Sequence, residues 1–155
     1  MKPFIENANE EESKVANLSV SGFSFAPRYI RDDGLAIYES STSTLTKYFS
    51  ENDIQIDKVT SNEQEAEIKE NAYDLVLPTL VISATYISQN PELVNLSLNL
   101  ISNYIYDFFK GIRGEKIVKC KILVKDGKSV KKISYKGAPE EFKEVANIIK
   151  EFKND

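Results

Sequence analysis

Three features of the chain predict an α+β fold. The stretch Asn90 to Lys110 is helix-length and apolar around most of its circumference. Short segments with two-residue alternation lie on both sides of it. Asp126-Gly127 is a strong turn dipeptide between two such segments. The expected architecture is an N-terminal mixed sheet packed on a central apolar helix, followed by a β-hairpin and a C-terminal helix. At 155 residues the chain suits one domain with a sizeable core.

Residues 1–13 are polar, acidic and without periodicity, and read as a flexible acidic tail. Residues 14–155 read as one α+β domain. Ala16, Leu18 and Val20 alternate with polar neighbours as in a half-buried strand, which Gly22 bulges and Phe23 and Phe25 continue. Pro27 ends it. Asp32-Asp33-Gly34 is a turn, and Leu35 to Tyr38 returns as a strand. Ser40 to Thr44 is expected as a loop, Leu45 to Phe49 as a short helix and Ile54 to Val59 as a strand. Ser61 and Gln64 have capping-box spacing, so Glu63 to Ala72 suits a helix. Leu75 to Leu77 is a short buried strand, which makes a strand–helix–strand order. Beyond Pro78, the β-branched run Thr79 to Ile87 favours a further strand.

In the central helix Asn90 stands at the cap and Pro91 at the first helical position, where its missing N–H has no consequence. Leu93, Leu96, Leu100, Tyr104 and Phe108 recur at helical spacing, and Val94, Leu98, Ile101, Ile105 and Phe109 widen the stripe. Glu92, Asn95, Asn99, Asn103 and Tyr106 form the narrow strip fit for water. Gly111 and Gly114 make a hinge, Lys116 to Lys136 the hairpin, and Pro139 opens a last helix with Glu140 and Glu141 at its positive end. The helix–hairpin–helix subregion runs from about 90 to 153.

Charge is distributed unevenly. Residues 1–109 carry 7 basic and 17 acidic side chains, whereas residues 110–136 carry 10 basic and 2 acidic. The hairpin is thus strongly basic within an acidic protein. With Asp126-Gly127 as a two-residue turn, Val118 and Cys120 meet Tyr135 and Ile133 on a core face. Lys119, Lys121, Lys132 and Lys136 then share the outer face, with Lys121 opposite Lys132 and an apolar spot, Leu123 opposite Val130, near the tip. Three readings follow. The lysines protect a sheet edge; or acids of the N-terminal region neutralise them within the fold; or they bind a partner. For the last, an acidic protein surface or a second copy of this acidic chain ranks above nucleic acid, because Arg113 is the one arginine there and Tyr135 faces inward.

Other chemistry is sparse. The chain has no histidine, which excludes a histidine-based triad or zinc site within it, and no phosphate-cradling glycine loop. Cys120, on the buried face with no histidine to activate it, reads as structural. Asp32-Asp33-Gly34 falls short of a calcium loop, and Tyr104 and Tyr106 read as packing residues. No catalytic residue, metal or cofactor is expected. The apolar run Leu75 to Ile87 has 13 residues, below the roughly 18–20 needed to span a bilayer. With a single cysteine and an acidic start lacking an apolar signal core, the chain is expected in the cytoplasm.

The segments VNLSLNLISNYIYDFFKG, KIVKCKILVKDG, KSVKKISYKG and APEEFKEVANIIKEF form a helix, a basic hairpin and a last helix. This order, with the ISYKGAPEEF passage from strand into helix, resembles the effector-associated constant component modules of bacterial conflict systems. The resemblance covers about 60 residues and implies a non-enzymatic adaptor or regulator beside a defence effector. The expected function is therefore a cytoplasmic protein-interaction or regulatory protein, as an accessory component of a bacterial defence or toxin system. The alternatives are a small acidic immunity protein that neutralises a toxin, and a nucleic-acid-binding protein that uses the hairpin.

Overall fold

The computed structural model of the chain describes residues 3–60, 65–68 and 74–152. It is an α+β protein. β1 (Phe4–Asn7), α1 (Glu10–Asn17) and β2 (Phe23–Ala26) come first, then a small hairpin of β3 (Tyr29–Ile30) and β4 (Ala36–Glu39). α2 (Ser41–Glu51), β5 (Asp57–Lys58), β6 (Glu65–Ile68), β7 (Leu75–Val76) and β8 (Thr79–Ser83) follow. α3 (Ala84–Gln89) and α4 (Pro91–Phe109) lead to the long hairpin β9 (Val118–Asp126) and β10 (Ser129–Gly137). A 3-10 turn at Pro139–Glu141 enters α5 (Lys143–Ile149). The main sheet has the order β1-β10-β9-β8-β2-β5, with β7 also beside β9; β3, β4 and β6 form a second sheet.

The hairpin is therefore central to the main sheet. β8 and β9 run parallel, joined by the crossover through α3 and α4. Alternation along the strands divides the side chains between two layers. Phe23, Phe25, Leu80, Ile82, Val118, Ile122, Val124, Ile133 and Tyr135 face the main core, with Leu98, Ile101 and Ile105 of α4 and Val145 and Ile149 of α5. Ala26, Val81, Leu123 and Val130 point to the opposite side, where Ala16 of α1 covers them.

Within α4, Val94, Leu98, Leu100, Ile101, Ile105 and Phe109 are buried, and the strip Glu92, Asn95, Asn99, Asn103, Tyr106 is exposed as expected. Phe108 and Leu96 differ from expectation, at 38% and 43% exposed. Phe108 lies on the last turn, edge-on to Phe109 with ring centroids 4.9 Å apart, and keeps one side in water.

Several elements depart from the sequence reading. The flexible acidic tail is replaced, from Phe4 onward, by structure: β1 pairs antiparallel with β10, Phe4 opposite Ser134 and Asn7 opposite Lys131, and α1 follows at once. A full capping box explains the helix. The Asn9 side chain accepts from the Glu12 N–H at 2.8 Å, and the Glu12 carboxylate accepts from the Asn9 N–H at 3.0 Å. The alternation of Ala16, Leu18 and Val20 is not a strand: Ala16 ends the helix's buried side, while Val20 is 99% exposed. Glu65–Ile68 is a strand parallel to β4, where a helix was expected; the rest of Glu63 to Ala72 lies outside the described residues. An open edge of β4 outweighs local helix propensity there. α2 begins at Ser41, inside the expected loop, and only Asp57–Lys58 of the expected strand from Ile54 pairs, with β2. The strand from Thr79 stops at Ser83, whose hydroxyl accepts from the Tyr86 N–H at 3.0 Å and caps α3.

Candidate interaction surface

The hairpin register sets the positions of the basic side chains. Ser129 pairs with Asp126, so Gly127 and Lys128 make the turn, with Gly127 at φ 64. Moving the turn by one residue displaces every pair by two, so the faces hold while the partners change. Cys120 is opposite Tyr135 and Ile122 opposite Ile133 on the core face. On the other face Lys119 is opposite Lys136, Lys121 opposite Ser134, and Leu123 opposite Lys132. The like-charge pair is Lys119–Lys136, not the expected Lys121–Lys132.

Edge protection does not describe Lys119, Lys121 and Lys132; Lys136 lies on β10 beyond the end of β1. β9 has neighbours on both sides, and β1 covers β10 from Lys131 to Ser134. Internal neutralisation describes three of the four. Lys119 Nζ lies 3.1 Å from Asp74 Oδ2, which relieves the cross-strand repulsion. Lys121 Nζ lies 2.9 Å from Glu12 Oε2. Lys132 Nζ lies 3.0 Å from Glu6 Oε1 and 3.2 Å from Glu12 Oε1. Lys131, on the alternate face, donates to Asn7 Oδ1 at 2.6 Å.

Glu12 joins these contacts. Burial by itself raises its carboxyl; the Asn9 N–H and the Lys121 and Lys132 ammoniums outweigh burial and bring it below the ordinary carboxylate range. Lys132 is raised, mainly by its hydrogen bond to Glu6 and further by Glu12, against the opposing effect of burial. Sequence reasoning missed Glu6 and Glu12. The signal that marks α1 was present: asparagine at position 9, glutamate three residues later and an acidic first turn.

Lys136 is exposed, and among the described residues no carboxylate lies within ion-pair distance of it, of Lys116 or of Lys110. Lys116 and Lys136 line a shallow groove of about 420 Å³ with Gly114, Gly137 and Glu140. Lys110, Lys116 and Tyr106 line a smaller one of about 210 Å³ that adjoins it at Pro139. Lys110, Lys116 and Lys136 thus gather positive charge at the base of the hairpin, at the end of α4, and Lys125 and Lys128 carry it at the tip. A third groove, of about 410 Å³, lies between α1 and β3 over the outer face of the sheet. Glu12, Val15, Arg28, Tyr29, Ile30 and Lys121 line it.

The other sequence candidates are structural. Burial pushes the Cys120 thiol up to about 12, so it is not a thiolate at neutral pH. Tyr135 is buried with its hydroxyl donating to the Ala138 carbonyl, and burial together with Glu141 and Glu140 pushes it up to about 12. Asp33 serves its own turn, accepting from the Leu35 N–H and pairing with Arg31 at 2.8 Å. Among the described residues no group of three His, Cys, Asp or Glu is placed to hold a metal ion, and no helix is long and apolar enough to cross a membrane. Comparison of the chain with protein-family models, with curated proteins and with solved structures finds no match.

Proposed function

We propose that this chain is a non-enzymatic protein-interaction or regulatory protein whose basic hairpin meets an acidic protein partner. The observation that carries the reading is the use of the hairpin lysines. Lys121 and Lys132 already hold carboxylates from another segment of the chain, while Lys116 and Lys136 at the base hold none among the described residues. A surface that engages carboxylates in cis offers the same chemistry in trans. The helix–hairpin–helix order behind the resemblance to defence-associated modules is carried by α4, β9–β10 and α5. That order supports the reading of an accessory component of a bacterial defence or toxin system, acting in the cytoplasm. The immunity-protein alternative gains less support, because Glu6, Glu12 and Asp74 of the acidic half are engaged within the fold.

The test is the full chain carrying Lys116→Glu and Lys136→Glu, used as bait in cells of its source. Neither side chain is in the core, so the circular dichroism spectrum and melting midpoint should match the unaltered protein. Recovery of the specific partner should fall about tenfold, as it should for the unaltered protein in high salt. Unchanged recovery overturns the reading. Tight binding of random DNA or RNA with a steep salt slope transfers the hairpin to nucleic acid.

A further inference from the structure

Helix α1 is attached to the body by few apolar contacts. Ala16 is its one fully buried residue, Val15 is partly buried, and Glu10 and Lys14 pair with each other in solvent. What it covers is more apolar than what it contributes: Leu123, Val81, Ala26 and Val130 are all buried beneath it. Lys121 and Lys132 rise beside Leu123 on the same face, and both meet Glu12. The surface under α1 is thus an apolar floor flanked by two ammoniums.

We propose that this surface is a seat for an acidic amphipathic helix of the partner, and that α1 is its intramolecular placeholder. The inference deepens the interaction reading above and rests on it. Charge complementarity selects the occupant, because α1 is itself an example: three glutamates in its first turn, a carboxylate on both lysines and an apolar underside. The fit of α1 is incomplete. The adjoining groove of about 410 Å³ runs to Tyr29 and Ile30, which are 50% and 38% exposed. A partner helix with larger apolar side chains than Val15 and Ala16 fills that space as well.

The release is built to be cooperative. One Glu12 oxygen accepts the Asn9 N–H and contacts Lys132, and the other contacts Lys121. A partner carboxylate that takes the lysines leaves Glu12 without them. The Asn9–Glu12 capping box is internal to α1 and travels with it, so lifting the helix breaks the Lys121 and Lys132 contacts of one carboxylate together.

The probes are two capped peptides of about 20 residues, long enough for helix in water. One has glutamates on one face with leucine and alanine on the other; the second has lysines in place of the glutamates. Binding is read by fluorescence polarisation, on the full chain and on its Glu12→Gln variant. Backbone hydrogen exchange of residues 10–17 and of α4 is followed in both. The acidic peptide should bind the variant about tenfold more tightly, since a closed seat lowers apparent affinity in proportion to its open fraction. At saturation it should speed exchange in residues 10–17 at least tenfold and leave α4 protected, and the lysine peptide should do neither. Lys121→Ala with Lys132→Ala should abolish the effect. Equal affinity for both proteins with α1 still protected overturns the seat, and so does equal binding of the lysine peptide. Failure to bind either protein also overturns it; the broader reading is decided separately by the Lys116→Glu, Lys136→Glu bait.

Discussion

Leu100→Ala and Phe108→Ala form a pair that separates the structure from the sequence pattern. Both residues belong to the same apolar series of α4, eight positions apart, and the pattern alone assigns both to the core. In the structure Leu100 is 6% exposed within the main core, whereas Phe108 is 38% exposed on the last turn. Removing a buried leucine side chain loses its transfer free energy and leaves a cavity, about 2–5 kcal/mol together. Phe108 leaves no enclosed cavity, because water enters where the ring was; its loss is on the order of 1 kcal/mol, the scale of a partly exposed site. For a chain of this length each kcal/mol lowers the melting midpoint by about 2–4 °C. Leu100→Ala should therefore lower it by about 6–12 °C for a mid-range loss of about 3 kcal/mol, and Phe108→Ala by about 2–4 °C. Urea titration and thermal melts monitored by far-UV circular dichroism give both quantities. Equal losses, or a larger loss for Phe108→Ala, would refute the assignment of α4's buried face.

Deleting residues 1–12 should lower stability by about 2–4 kcal/mol in urea titration, because it partly uncovers Leu123 and Val130, whose full burial is worth about 1.5–3 kcal/mol each. It also leaves Lys132 without Glu6 and Glu12; an unchanged midpoint would mean that the strand and helix contribute nothing. The pH dependence of α1 follows from Glu12, which faces Lys121, Lys132 and the Asn9 N–H, with Glu6 on the neighbouring strand. Its depressed carboxyl stabilises closure fully above the unfolded value and loses the effect as pH falls through the lower folded value. Lys132, raised, contributes fully below its unfolded value and is lost as pH rises past the folded one. Amide protection of residues 10–17, corrected for intrinsic exchange, should therefore be flat from about pH 5 to 10 and fall in acid before that of α4. Gly22→Ala should cost about 1–3 kcal/mol by the same titration, because φ is +81 and the new Cβ would lie 2.7 Å from the Ser83 hydroxyl that caps α3; a neutral result would show that both yield.

Long, regular patterns were legible in the sequence. α4 carries nineteen residues of one period, and Asp33-Gly34 and Asp126-Gly127 bracket true turns. The hairpin's two faces were legible for the same reason, although the turn lies one residue later, because a displacement by two preserves which side chains share a face. Short elements were not. Ala16, Leu18 and Val20 imitate a strand, and only the Asn9–Glu12 cap reveals that the chain is helical there. Thr79 to Ile87 is rich in β-branched and apolar residues, and one hydroxyl, Ser83, decides where strand gives way to helix. The lysine face of the hairpin was found; its occupant was not, because residues 6 and 12 meet residue 132 through tertiary structure that no local pattern encodes.

That separation along the chain has a consequence for biogenesis. β1 finds its partner about 130 positions later, Phe4 against Ser134. At ordinary rates of synthesis, roughly 5–20 residues per second, the N-terminal segment waits on the order of 6–30 s for the strand it pairs with. The hairpin itself closes within microseconds once made. When it forms, the tethered acidic segment is already present at high effective concentration, so it is the first ligand the new basic face meets. A partner arriving at Lys121 and Lys132 from solution competes with a resident, and the bare Lys121–Lys132 face has almost no lifetime of its own on a freshly made molecule.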